Sequence, residues 1–173
     1  MIILGIAGKK QSGKDTFADY VIQNARGIVV KKSLSDPLKD EVAQLLAIPR
    51  QRIDNEKAYF RPLLQWYGTE WKRGQFGNDY WIKKLEEKVL LSNAHIIIIP
   101  DIRFANEVDW VRHMGGTVIK MERLGAVNND THVSENQINN FVPDITIKAN
   151  SGDLETLKLK AIWLIDQIQE PLK

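Results

Sequence analysis

The chain of 173 residues carries no cysteine and a formal charge of +2, with 43% hydrophobic and 27% charged residues. Its length suits one domain with a sizeable core, and the missing cysteines exclude disulfides and thiolate metal centres, in keeping with a reducing cytosol. So small a net charge argues for neither nucleic acid nor an anionic membrane surface as partner, and no apolar run is long enough to cross a bilayer.

The run Ile2-Ile3-Leu4-Gly5-Ile6-Ala7 predicts a buried strand. It is too short for a secretory signal and leads directly into Gly8-Lys9-Lys10-Gln11-Ser12-Gly13-Lys14. This nearly fits the P-loop pattern G-x-x-x-x-G-K-S/T, in which a strand turns through glycines into a helix. Gly8 and Gly13 free the backbone N–H groups to wrap a polyphosphate, Lys10 and Ser12 lie within the loop, and the helix N-terminus adds partial positive charge. Lys14 is placed to reach the β/γ-phosphates. Asp15 stands where Ser or Thr normally holds Mg²⁺, with Thr16 next. Two roles are open for Asp15. Either it helps hold the ion, or it points away while Thr16 caps the helix and touches phosphate.

Phe17, Val21 and Ile22 recur at helical spacing, so a helix is expected from about Gly13 to Ala25. Gly27 stops it, and Ile28-Val29-Val30 reads as a second strand. Ser33-Leu34-Ser35-Asp36-Pro37 makes a turn and cap, with Pro37 suited to a first helical position. The stripe Leu38, Val42, Leu45 and Leu46 ends near Pro49. Pro62 is expected to open the next helix, with Leu63, Tyr67 and Trp71 as an apolar seam and Arg61, Gln65, Gly68 and Lys72 on a neighbouring face. The stretch Gly74 to Asn78 is expected to break it. Trp81, Leu85 and Val89 mark a further helix from near Asp79.

Ile96 to Ile99 reads as a strand apolar on both faces, as in the middle of a parallel sheet. Its end carries Pro100-Asp101-Ile102-Arg103. A helix from Phe104 to His113, a Gly115-Gly116 turn and a strand from Thr117 to Met121 follow. Arg123 to Val133 is polar and is expected to be a mobile, lid-like loop. Ser134 to Phe141 reads as a short helix and Ile145-Thr146-Ile147 as a fifth strand. After Asn150-Ser151-Gly152, a last helix is marked by Leu154, Leu157, Ala161, Leu164, Ile165 and Ile168.

Strands alternating with helices imply a three-layer α/β/α fold around a five-stranded, mainly parallel sheet. The domain reading is a single P-loop domain over residues 1–173, with a helical region at about 36–92 and the lid-like loop at about 123–133. In such sheets ligands sit beyond the carboxyl ends of the strands. Gly8, Ser33, Asp101, Arg123 and Asn150 all follow strand ends and are expected to converge on one cleft.

Asp101 after four isoleucines has the Walker B arrangement, so it is a candidate to hold Mg²⁺ or a metal-bound water, and equally a helix cap. Arg61, Arg73, Arg103 and Arg123 are candidate phosphate clamps, because a guanidinium fork matches phosphoryl oxygens. Gln65 could read a base edge. His132, Ser134 and Glu135 do not make a hydrolytic triad, since no nucleophile elbow is present. His95, His113 and His132 lack metal-ligand spacing. Trp66 and Trp81 are the tryptophans that could stack a base, and Trp66 and Tyr67 are candidates for a homodimer contact or for plain packing.

Four motifs together resemble the deoxynucleoside monophosphate kinases of tailed bacteriophages. They are Gly8-x4-Gly13-Lys14-Asp15-Thr16, Leu64-Gln65-x2-Gly68, Asp101-x-Arg103-Phe104-x-Asn106-Glu107 and His132-x-Ser134-Glu135. The likeness runs from the P-loop to Asn150-Ser151-Gly152, and the Asp15 departure is one the family shares. Pro100 before Asp101 is less usual there.

The resemblance implies an adenylate-kinase-like fold and transfer of the ATP γ-phosphoryl, with Mg²⁺, to a deoxynucleoside monophosphate. It implies that Ser33, Arg61, Gln65, Gly68, Arg73, Trp81 and Asp101 face the acceptor, with Arg103 on its phosphate. Arg123 would belong to the lid side, Asn150 would border adenine, and Glu107 and Glu135 would position arginines. It also implies nucleotides as small-molecule partners and work in the cytoplasm, the host's if the gene is a phage's. The rival readings are another small P-loop kinase, of the phosphomevalonate type, and an ATP-binding interaction protein without small-molecule transfer.

Overall fold

A computed structural model describes residues 1–125 and 133–169. In chain order the elements are β1 (Ile2–Ala7), α1 (Lys14–Asn24), β2 (Val29–Lys31), α2 (Ser35–Leu45), α3 (Arg50–Asn55) and α4 (Lys57–Gln65). A π-helical segment (Trp66–Arg73) continues α4 into α5 (Gly74–Phe76), and α6 (Tyr80–Leu90) follows. Then come β3 (Ile96–Ile102), α7 (Ala105–His113), β4 (Thr117–Leu124), α8 (Val133–Asn136) with a 3₁₀ turn at Gln137–Asn139, β5 (Ile145–Asn150) and α9 (Leu154–Gln169). The chain divides into two compact units, Met1–Lys32 with Asn93–Lys173, and Ser33–Ser92.

The first unit is built on the sheet β2-β3-β1-β4-β5, in which every pairing is parallel. Ile96 to Ile99 are wholly buried, as expected of a strand whose two faces are both covered. The alternation of β1 then sorts its side chains between two layers. Leu4 and Ile6 join Phe17 and Val21 of α1 and Leu157, Ala161, Leu164 and Ile165 of α9 in one core. Gly5 faces the other way, where a Cβ would lie 3.0 Å from a Val111 methyl, so its lack of a side chain lets α7 sit close to the sheet.

One irregularity falls where the sequence is unusual. Gly5 pairs with Ile99, but Ala7 pairs with Ile102, so β3 carries an extra residue across Pro100 and Asp101. A proline, with no N–H to give a ladder, is suited to such a bulge. The strand therefore runs on through Asp101, which lies inside β3 rather than just after it.

The second unit is helical throughout, and one expectation about it is corrected. Pro62 does not open a helix but lies inside α4, which begins at Lys57. Burial of Phe60 makes the residues before the proline helical, and that tertiary gain overrides the local rule. The break expected within Gly74 to Asn78 falls at the fourth residue of that stretch. The turn continues to Phe76 and stops at Gly77, whose φ of +94° only glycine adopts readily. Elsewhere Asp36, Asp40 and Asp54 converge on Arg50, and Lys39 pairs with Asp54 at 2.9 Å, tying α2 to α3.

Candidate functional site

The loop between β1 and α1 is shaped by three residues with positive φ: Gly8 (+155°), Gln11 (+62°) and Gly13 (+88°). Gly13 precedes α1 without a side-chain cap, which leaves the first N–H groups of the helix for a ligand. Lys14 curls back so that Nζ donates to the carbonyls of Gly8 (2.7 Å) and Lys9 (2.8 Å). The loop is thus wrapped around its own ammonium. Ser12 is only 8% exposed, and its Oγ has no hydrogen-bond partner among the described residues.

A cavity of ≈ 370 Å³ opens on this loop, lined by Gln11 to Thr16, Arg123 and residues from Ala149 to Leu157. The register of β4 with β5 sets Arg123 opposite Ala149, beside the loop that leads into α9. Its guanidinium donates from Nη1 to the Gln11 carbonyl (3.0 Å) and from Nη2 to Ser151 Oγ. Asp153 closes this rim as the cap of α9. Hydrogen bonds from the Thr156 hydroxyl and N–H hold its carboxyl below the usual range. Of the sequence-predicted donor residues, Ser12, Gly13, Lys14, Asp15, Thr16, Arg123 and Asn150 line this one cavity, and Gly8 touches it through Lys14.

Lys10 is placed elsewhere. With Lys9, Lys120, Glu122 and Arg123 it lines a second cavity of ≈ 340 Å³ on the β4 side of the loop, and Ser12 borders both. Asp101 is half-buried at the β3 bulge, and Arg103 directly follows that strand. Glu107, 4% exposed, accepts from the backbone N–H groups of Arg103 (2.8 Å) and Phe104 (3.1 Å). It thereby fixes the chain at Arg103 from within α7.

The remaining predicted residues lie in the second unit. Arg61, Gln65, Gly68 and Arg73 share the continuous helical stretch from α4 through the π-helical segment. Gln65 Nε2 is buried with no hydrogen-bond partner among the described residues. Gly68 packs so near Leu38 that a Cβ would lie 2.9 Å from its Cδ2. Trp81 is 5% exposed, and its indole N–H donates to the Gly68 carbonyl at 2.9 Å, so it supports that turn from beneath. Arg73 is 8% exposed. Ser33 lies between β2 and α2, its N–H on Asp36 Oδ2 at 3.0 Å. Tyr67 is buried, whereas Trp66 is 52% exposed.

Residues 126–132, the greater part of the expected lid-like loop and with it His132, lie outside the described residues. Sequence reasoning missed Gln11 and Leu157 in the first cavity, and Ser151, which accepts from Arg123 beside it. Only the Asn-Ser-Gly turn before α9 hinted at Ser151. Among the described residues no group of three or more His, Asp or Glu is arranged to hold a metal ion by itself.

Set beside known proteins, residues 47–161 match the model of the deoxynucleotide monophosphate kinase family. A protein of Acanthamoeba polyphaga mimivirus named for the same activity is 26% identical over 98% of this chain and 99% of its own length. The deoxynucleotide monophosphate kinase of Enterobacteria phage T4 is 37% identical over a segment covering 56% of this chain and 41% of the phage protein. Among solved structures, shikimate kinase from Aquifex aeolicus superposes over 96% of this chain and 98% of its own, at 14% identity and a TM-score of 0.49.

Proposed function

Because the chain belongs to the deoxynucleotide monophosphate kinase family, we propose that it moves the γ-phosphoryl of ATP to a deoxynucleoside 5′-monophosphate. The observation that carries this reading is the loop around Lys14 with Arg123 beside it, on the wall of one cavity. The loop amides bind the ATP phosphates, and Lys14 exchanges its two carbonyl partners for phosphoryl oxygens. Arg123 holds charge on the transferred group, while Asn150 and Leu157 border the adenine.

Arg61, Gln65, Gly68 and Arg73 bind the acceptor, with Arg103 on its phosphate. Trp81 acts under Gly68 rather than on the base. The acceptor phosphate is already anionic at neutral pH, so no general base is required. Alignment and charge neutralisation do the work.

Magnesium fits the donor set. It takes one or two carboxylates alongside substrate phosphates rather than a cage made wholly of protein. Asp15, exposed in the first turn of α1 on the cavity wall, and Asp101 would hold it. When bound, the ion supplies neutralisation of the phosphoryl oxygens.

The test is a coupled ADP-release assay with each deoxynucleoside monophosphate, the ribonucleotides and a no-acceptor control. ADP release that depends on a deoxynucleotide is expected. Lys14→Ala should lower it by about a thousandfold or more with the circular dichroism unchanged. Equal turnover with a non-nucleotide acceptor, or full activity of Lys14→Ala, would sink the reading.

A further inference from the structure

Three segments of the helical unit meet at a charge pair to which the chemistry above gives no part. Glu41 of α2 accepts hydrogen bonds from Tyr80 Oη (2.7 Å) and Tyr67 Oη (3.1 Å) and pairs with Lys72 Nζ at 3.1 Å. Lys72 Nζ also lies over four rings, with centroids at 5.1 Å (Tyr80), 5.2 Å (Tyr67), 5.2 Å (Phe76) and 5.6 Å (Trp71). Its side chain is 15% exposed and that of Glu41 is 20%. Lys84 approaches Glu41 at 3.6 Å from the solvent side. An ammonium ringed by aromatic faces and closed by a carboxylate is strongly held. Burial works against its charge, but the bonds to Glu41 and Tyr80 overrule it and keep Lys72 protonated above the ordinary lysine range.

The spacing of these residues is the informative part. Tyr67 and Lys72 are five positions apart, and on an α-helix such residues point about 140° away from each other. In the wider i→i+5 turn of Trp66–Arg73 they come round to one side, where both reach Glu41. The cage therefore exists only in the π register. π-Helical segments are rare and mostly a single turn long, so one that runs from Trp66 to Arg73 needs something to hold it. Gln65 stands just before the segment and Arg73 at its end, and the pitch between them sets the angle at which the two side chains leave the helix.

We propose that Lys72, clamped by Glu41 inside the ring of Tyr67, Trp71, Phe76 and Tyr80, is a positioning residue that fixes the π-helical register of Trp66–Arg73 and so sets the mutual geometry of the acceptor-binding residues Gln65 and Arg73. This rests on the reading of those two as acceptor ligands. Lys72 itself touches no substrate.

The test compares Lys72→Met, the double variant Lys72→Met with Glu41→Gln, which leaves no unpaired carboxylate, and Lys72→Arg, which keeps a cation able to pair and to stack. The acceptor KM should rise about tenfold in the first two, with the ATP KM within about twofold of wild type, and Lys72→Arg should recover most of the loss. Amide hydrogen exchange should rise selectively over residues 66–73. A folded double variant with a wild-type acceptor KM would overturn the proposal, as would acceptor and ATP KM rising together. Should the wild type turn over no nucleotide acceptor, the functional reading fails and the exchange pattern alone decides on the clamp. A selective rise at 66–73 then upholds it, and unchanged protection there refutes it.

Discussion

Gly8 is the residue on which the loop between β1 and α1 turns. At its φ of +155° a Cβ would lie 2.5 Å from Ser12 Oγ and 2.8 Å from the Met121 carbonyl, so neither the backbone nor the space admits a side chain. The Gly8 carbonyl also holds Lys14, which couples the strained position to the ammonium on the cavity wall. Gly8→Ala is expected to cost about 1–3 kcal/mol of stability, read from urea denaturation. It should weaken ATP binding by calorimetry more than that loss alone would, because the loop must shift to admit the methyl group. Unaltered ATP affinity would mean that the loop's shape is not what binds phosphate.

At the scale of elements, the loop between β1 and α1 is held by what stands behind it. α1 starts at Lys14 and lies against α9, and Leu164 of α9 is wholly buried in their shared core with the sheet. Leu164→Ala is expected to destabilise the protein by about 2–5 kcal/mol through lost burial and the cavity left behind. The measurement is the shift of the denaturation midpoint. The KM values should be near wild type at a temperature where the variant is still folded, since Leu164 does not line the cavity. β3 shows the reverse relation of element to residue. Its bulge at Pro100–Asp101 re-aims the strand end that carries Arg103, and Glu107 in α7 then fixes the next two peptide groups.

At the scale of the whole molecule, the two units are held by different chemistry. The sheet unit rests on aliphatic burial, whereas the helical unit gathers its charges into two clusters, around Arg50 and around Glu41. This difference gives a pH prediction. Burial alone would raise the carboxyl of Glu41, but hydrogen bonds from Tyr80 and Lys72 together with the Lys72 charge lower it from 4.5. Asp54 is lowered from 3.8 likewise, with Lys39 and Arg50 overcoming its burial. A carboxyl with a depressed folded pKa stabilises the fold above its unfolded value, and that stability is lost as pH falls through the folded value. The helical unit should therefore hold its stability at neutral pH and lose it progressively below about pH 4.5, and Glu41→Gln should flatten the decline. Fluorescence of Trp66, Trp71 and Trp81 during acid titration, read in a Trp110→Phe, Trp163→Phe background, follows it. A decline equally steep in Glu41→Gln would contradict the assignment.

The sequence by itself determined the parts of this protein that local chemistry specifies. The apolar runs of β1 and β3, the glycines around Lys14 and the helical stripe of α9 announce themselves within a few residues. The parallel sheet and the glycine turn around Lys14 were legible for that reason, and the family followed from motifs in a fixed order. Tertiary structure alone decided what depends on groups far apart in the chain. Arg123 meets Gln11 across 112 positions, and no local pattern announces that contact. The bulge in β3 arises from pairing with β1, and the course of α4 through Pro62 from the burial of Phe60. The wide turn at Trp66–Arg73 goes further still. Its seam looks α-helical in sequence, and only the convergence of Tyr67, Lys72 and Tyr80 on Glu41 from another helix fits the wider pitch.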